Sequence, residues 1–160
     1  MASTTGAAIS LLQQREIEAK VVGPLIRGFA EEVGTDRALQ IVRQVIVNLA
    51  HEAGADLARR LGEVSLEAFA GGLDRWSEGG ALEMEILERS PERLSFNVTR
   101  CKYAEMYRRL GLADLGGSLS CQRDFALVEG FNPAITLERT QTLMEGASHC
   151  DFRFRASSQA

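Results

Sequence analysis

The chain reads as an α+β protein: an antiparallel sheet of about four strands covered by helices, with an antiparallel helical hairpin at the N-terminal end. Three observations predict this. Apolar residues recur at helical spacing through the first eighty residues, the period drops to two at Leu82, and a second run of alternating residues follows Ile135. Residues 1–80 form a helical region and 81–160 an α+β region. Together they are long enough to bury one shared core.

From Ala7 to Val33 the stripe is Ile9, Leu12, Ile17, Val21, Leu25, Phe29 and Val33, with Thr4 or Thr5 as cap and Gly34 as stop. Gly23-Pro24 predicts a kink or two abutting helices. A second helix, capped by Thr35 or Asp36, carries Leu39, Val42, Ile46, Leu49, Ala53, Leu57 and Leu61, and Gly54 in it reads as a tolerated weak point. This hairpin is a candidate dimer surface. Ser65 to Trp76 is a third helix with Leu66, Phe69 and Leu73 inward. Leu82, Met84 and Ile86, then Leu94, Phe96 and Val98, make a β-hairpin with one buried face around Ser90-Pro91. Helices follow over Cys101–Leu110 and Leu112–Glu129, divided by Gly111, and Gly130-Phe131-Asn132-Pro133 is a turn. A strand then aligns Ile135, Leu137, Arg139, Gln141 and Leu143 on one face, and a last strand aligns Cys150, Phe152 and Phe154.

Hydrophobic residues are 45% and charged residues 25%, with net charge −4, so there is no basic footprint for nucleic acid. The first residues lack a signal peptide's basic start and apolar run, and no apolar run nears the roughly 20 residues of a membrane span. The expectation is a cytoplasmic protein, and its three cysteines are expected to be reduced thiols.

All three cysteines, Cys101, Cys121 and Cys150, fall in the second half among acids, and the rest of the chain reads as their scaffold. Cys101, after Thr99 as N-cap and between Arg100 and Lys102, sits where a helix start favours a thiolate; the plain alternative is a buried structural thiol. Cys121 and Asp124, three apart, share a helix face. Asp124 is then partly buried and in need of a partner or a raised pKa; otherwise it is a solvated acid beside a core thiol. Cys150 shares its strand face with Phe152 and Phe154 and points at the helical cover. Glu145 is a candidate base or substrate-orienting group, and His149 a neighbouring titrating group that is otherwise solvated. Arg139, in an apolar register, either receives a substrate carboxylate or pairs with Glu138 or another acid. The thiols match no compact zinc signature, and a three-thiolate site of Cys101, Cys121 and Cys150 is the metal alternative.

The segments Arg100-Cys-Lys-Tyr-Ala-Glu-Met-Tyr107, Cys121-Gln-Arg-Asp124, Glu129-Gly-Phe-Asn-Pro133, Arg139-Thr-Gln-Thr-Leu-Met-Glu-Gly146 and Cys150-Asp-Phe-Arg-Phe154 resemble the L-2-amino-thiazoline-4-carboxylic acid hydrolase family. A fainter similarity in cysteine spacing is to the small-molecule-binding domains named after vinyl reductase. The first resemblance implies hydrolytic opening of a cyclic amidine bearing a carboxylate, giving a carbamoyl amino acid. Cys101, Cys121, Asp124, Glu145 and Cys150 are then the expected catalytic residues, with Cys101 or Cys150 as nucleophile, and Arg139, Tyr103 and His149 the expected substrate-binding ones. No cofactor is expected; zinc on the three thiols is the alternative. The rival reading is a non-catalytic small-molecule-binding or regulatory module using the same pocket.

Overall fold

The computed structural model describes residues 8–157, so Thr4 and Thr5 lie outside the described residues. Ser10 opens helix α1 (Leu11–Val33): its hydroxyl accepts the Gln13 N–H at 3.2 Å, and the Gln13 side chain accepts the Ser10 N–H at 2.9 Å. The helix runs through Pro24 as one element, with buried Ala19, Gly23 and Ile26 holding both flanks to the body. Gly34, at φ 85° and ψ 148°, is the one-residue link to α2 (Thr35–Leu61), a conformation open to a residue without Cβ.

The expected apolar stripes do not all face inward. Ile17, Val21 and Leu25 of α1 stay about half exposed. Phe29 and Val33 of α1, and Ile41, Val45 and Leu49 of α2, are exposed to a similar degree along an outer groove of about 740 Å³. The faces turned to the body carry smaller groups, Ala19 and Gly23 on α1 and Ala38, Ala50 and Gly54 on α2. Small side chains win there because the helices approach closely. The closest approach is between α2 and α7 (Arg123–Phe131). A Cβ added to Gly54 would sit 2.1 Å from the Leu127 carbonyl oxygen, and one on Gly130 2.0 Å from that of His51. Gly54 is therefore a required contact, which corrects its reading as a tolerated weak point.

The predicted third helix is divided at Leu73 into α3 (Leu66–Gly72) and α4 (Asp74–Ser77), where Gly71 and Gly72 weaken the helical run. The sheet comprises β1 (Leu82–Arg89), β2 (Arg93–Cys101), β3 (Ile135–Glu138) and β4 (Cys150–Ala156) in the order β1-β2-β4-β3, all antiparallel. Leu94, Phe96, Val98, Cys150, Phe152 and Phe154 are buried together under the helices, as strand phase predicts. Strand β1 is an edge with two register shifts, and Ile86 on it is exposed instead of buried.

Between β2 and β3 lie α5 (Lys102–Arg109), α6 (Ala113–Gly116), a π-helical turn at Gly117–Cys121, and α7. The expected continuous helix from Leu112 is thus broken by the π turn, a feature frequent at functional sites. Gly130 and Phe131 belong to α7, and the turn starts at Asn132, which donates to the Val64 carbonyl at 2.7 Å. Strand β3 stops at Glu138 instead of Leu143. The Asp151 carboxylate accepts the N–H groups of Thr140 and Gln141, each at 2.9 Å, and so replaces the ladder there.

Candidate functional site

Cys101, Cys121, Cys150, Asp124, Arg139 and Tyr103 all line one cavity of about 110 Å³, closed by Trp76, Leu127, Met144 and Phe152. Three different backbone contexts deliver the sulfurs. Cys101 is the last residue of β2 and itself the N-cap of α5: its Sγ accepts the Ala104 N–H at 3.4 Å. This corrects its expected place in the first helical turn behind a Thr99 cap. Cys121 ends the π turn, three residues before Asp124, and Cys150 opens β4 with its Sγ accepting the Leu143 N–H at 3.2 Å. All three thiols are free.

Burial opposes release of their protons. Burial pushes the Cys101 thiol up to about 11, against the opposing pull of the Ala104 and Tyr103 amides. Burial works against the expected thiolate, and the neighbouring cations do not offset it because they are engaged elsewhere. Arg100 pairs with Glu105 and Glu83, and Lys102 donates to the Gly79 carbonyl at 3.1 Å. Burial, then the nearby Asp124 charge, raises Cys121 further, and burial likewise raises Cys150. Tyr103 donates its hydroxyl to the Trp76 carbonyl at 3.2 Å, and burial pushes it up to about 12, so its ring is a neutral wall of the site.

Asp124 is the acid at the centre, electrostatically coupled to all three sulfurs. Burial pushes its carboxyl up to about 6, opposed by the charge and hydrogen bond of Arg139. The Arg139 side chain, 6% exposed, bonds the Asp124 carboxylate and donates to the Cys121 carbonyl at 2.9 Å. Its guanidinium lies 4.9 Å from the Phe125 ring centre and 5.0 Å from that of Phe152, within cation–π range of both. The open question about Arg139 resolves to an ion pair with an acid other than Glu138. Asp151 supports the arrangement from behind by anchoring the next two residues. Desolvation raises its carboxyl, but the bonds from Thr140 and Gln141 outweigh that and hold it below its usual range.

Glu145 and His149 do not line the cavity. Glu145 is exposed and accepts the Thr142 hydroxyl hydrogen bond at 2.8 Å in a 3-10 turn, and His149 contacts Gln141 and Ser148. Among the described residues no group of three His, Cys, Asp or Glu side chains is placed to hold a metal ion, so the three thiols share a cavity without forming a ligand set. The first half is more than scaffold: Arg15 of α1, Ala50 and Ala53 of α2, and Trp76 line the same wall, as does Arg123 from the second half. Two signals for the arginines were in the sequence. Arg15 lies in the register of Leu11, Ala19 and Gly23, and Arg123 stands inside the Cys121–Asp124 segment.

No helix among the described residues is long and apolar enough to cross a membrane. No curated protein is significantly similar in sequence. A trafficking protein particle complex subunit 3 from Naegleria fowleri, covalently bound to palmitic acid, is similar in structure with a TM-score of 0.53 at 10% identity, over 91% of this chain and 96% of that one. The phenol-responsive sensory domain of the transcription activator PoxR, with phenol, reaches a TM-score of 0.47 at 12% identity, over 94% of this chain and 74% of that one. The first of these likenesses concerns the fold alone. In sequence, the family model of the L-2-amino-thiazoline-4-carboxylic acid hydrolases matches residues 14–154, from the first turn of α1 into β4, and the chain belongs to that family.

Proposed function

We propose that the chain hydrolyses a small cyclic amidine bearing a carboxylate, of the 2-amino-thiazoline-4-carboxylate type, to a carbamoyl amino acid. The observation that carries this is the meeting of three thiols with the Asp124–Arg139 pair in one cavity of about 110 Å³. Apolar cavities on the order of 150 Å³ hold one benzene-sized ring, so a single small heterocycle is the appropriate scale of ligand. Family membership supports a hydrolytic reaction.

In the reaction, Asp124 takes the proton from Cys101 Sγ as that sulfur bonds to the amidine carbon. The ring bond from that carbon to its sulfur breaks, and the departing sulfur receives the proton from Asp124. Water then adds to the same carbon, Cys101 Sγ leaves and regains a proton, and the carbon becomes the carbonyl of the carbamoyl product. Cys101 is the nucleophile of choice because the Ala104 and Tyr103 amides are already directed at its sulfur and stabilise the thiolate as it forms. Arg139 holds Asp124 in place through the bonds described above and is not free to grip the substrate. Cys121 and Cys150 shape the far wall.

The test is turnover of 2-amino-thiazoline-4-carboxylate by wild type and by single Cys→Ser variants. Cys101→Ser is expected to lose at least a thousandfold in kcat, with a covalent adduct at Cys101 trapped by mass spectrometry in the wild type. Undiminished turnover by Cys101→Ser sinks the nucleophile assignment. A second reading, a non-catalytic binding module, is favoured by the burial that raises all three thiols. Recovery of ligand bound tightly and chemically unchanged, with no turnover, decides for it.

A further inference from the structure

The α1–α7 contact buries an unbalanced pair of cations. Arg15 on α1 and Arg123 on α7 have side chains only 15% and 16% exposed, and both lean on a single carboxylate, Glu18. Glu18 Oε2 accepts from Arg15 Nη1, and from Arg123 Nη2 at 3.2 Å, while Gln14 donates to its other oxygen at 3.1 Å. Arg123 Nε donates to the Leu119 carbonyl at 2.7 Å. Two guanidiniums therefore share one negative charge. Both arginines line the thiol cavity, and both also line the apolar groove between α1 and α2, so they stand at the boundary of the two spaces. Arg139 adds a third guanidinium to the cavity and is balanced by Asp124, leaving one positive charge in excess among apolar walls. No buried side-chain nitrogen or oxygen among the described residues lacks a hydrogen-bond partner, so the unbonded guanidinium nitrogens are the accessible ones. A buried charge in excess is costly unless something pairs with it. The desolvation is felt at Arg123, whose guanidinium is driven below its usual range by burial first and by the Arg15 charge next.

We infer that Arg15 and Arg123 form an anion subsite that receives the carboxylate of the substrate, with Glu18 as a built-in competitor occupying it in the free protein. A carboxylate entering there meets two convergent forks, the geometry in which arginine binds carboxylates bidentately. It neutralises the excess charge and leaves the ring directed toward Cys101 and Asp124. The identity of the acid rests on the hydrolase reading above; the subsite itself rests on the arginine pair.

Equilibrium binding of 2-amino-thiazoline-4-carboxylate and of its carboxamide, which lacks the carboxylate, tests this by calorimetry in the Cys101→Ser background, in parallel with steady-state kinetics of the chain with Cys101 intact. Arg123→Gln and Arg15→Gln are each expected to weaken binding of the acid at least tenfold and to leave the carboxamide within about twofold. Arg123→Lys is expected to recover part of the loss. Glu18→Gln is expected to tighten the acid severalfold by removing the competitor; a scaffold role for Glu18 predicts weaker binding of both ligands. Equal losses for acid and amide, or a Glu18→Gln variant that binds the acid less well, overturn the subsite. Arginine-dependent binding without turnover leaves the subsite standing and removes the hydrolase. Turnover with a KM indifferent to both arginines does the reverse. An acid that the Cys101→Ser protein with both arginines intact does not bind at all overturns the subsite.

Discussion

Two forces act in opposite senses on the Asp124 proton: burial among thiols and hydrocarbon raises the carboxyl, and Arg139 lowers it. Burial prevails and sets the group at about 6, above its ordinary value of 3.8. The proposed base is the ionised form, which is present above that value and lost as pH falls through it. The kcat/KM of the wild type is therefore expected to decline about tenfold per pH unit below 6, and Asp124→Asn to lose that limb along with most of its rate. Stability runs the opposite way. Between 3.8 and 6 the folded chain retains a proton the unfolded chain has released, so ionising Asp124 in the fold works against stability as pH rises through that window. Removing the partner is a separate experiment. Arg139→Met leaves a buried carboxylate uncompensated and is expected to cost about 3–5 kcal/mol in chemical denaturation, while moving the acidic limb to higher pH. Asp124 was legible as a residue in need of a partner, from its helical spacing to Cys121. Its partner was not, because Arg139 reaches it from a loop that becomes a loop only through the bonds of Asp151.

At the scale of elements, the crossing of α2 and α7 fixes where the cavity wall stands. Gly54→Ala and Gly130→Ala each place a methyl against backbone, which cannot yield as a side chain end can. Each is expected to destabilise by about 3 kcal/mol in urea, at the upper end of overpacking costs. Gly28 of α1 is the contrasting site, with nothing within 4 Å of an added Cβ. Gly28→Ala is expected to stabilise by about 0.5–1 kcal/mol through helix propensity. The sequence offers no local distinction between Gly28 and Gly54, since both are glycines in the interior of a long helix. Only the second helix, far along the chain, separates them. The same limit explains the hairpin stripes. Spacing located apolar faces on α1 and α2, but which face turns inward was decided by small residues that let another helix approach.

For the whole molecule, the cavity is walled by both halves of the chain, with α1, α2 and α4 on one side and β2, α5, α7 and β4 on the other. A ligand held there ties the halves together. At a hundred times its dissociation constant, a bound acid is expected to add about 2.7 kcal/mol to stability. That corresponds to a rise in Tm of roughly 5–10 °C for a chain of this size, read by calorimetry. The amino-acid sequence by itself determined the fold class, the strand phase that buries Cys150 beside Phe152 and Phe154, and the family, because periodicity and local motifs are properties of neighbouring residues. The tertiary structure decided which charged groups share the cavity with the sulfurs, that burial raises the thiols, and that Glu145 and His149 stay outside. Burial and pairing depend on groups brought together from distant parts of the chain, and no local pattern records them.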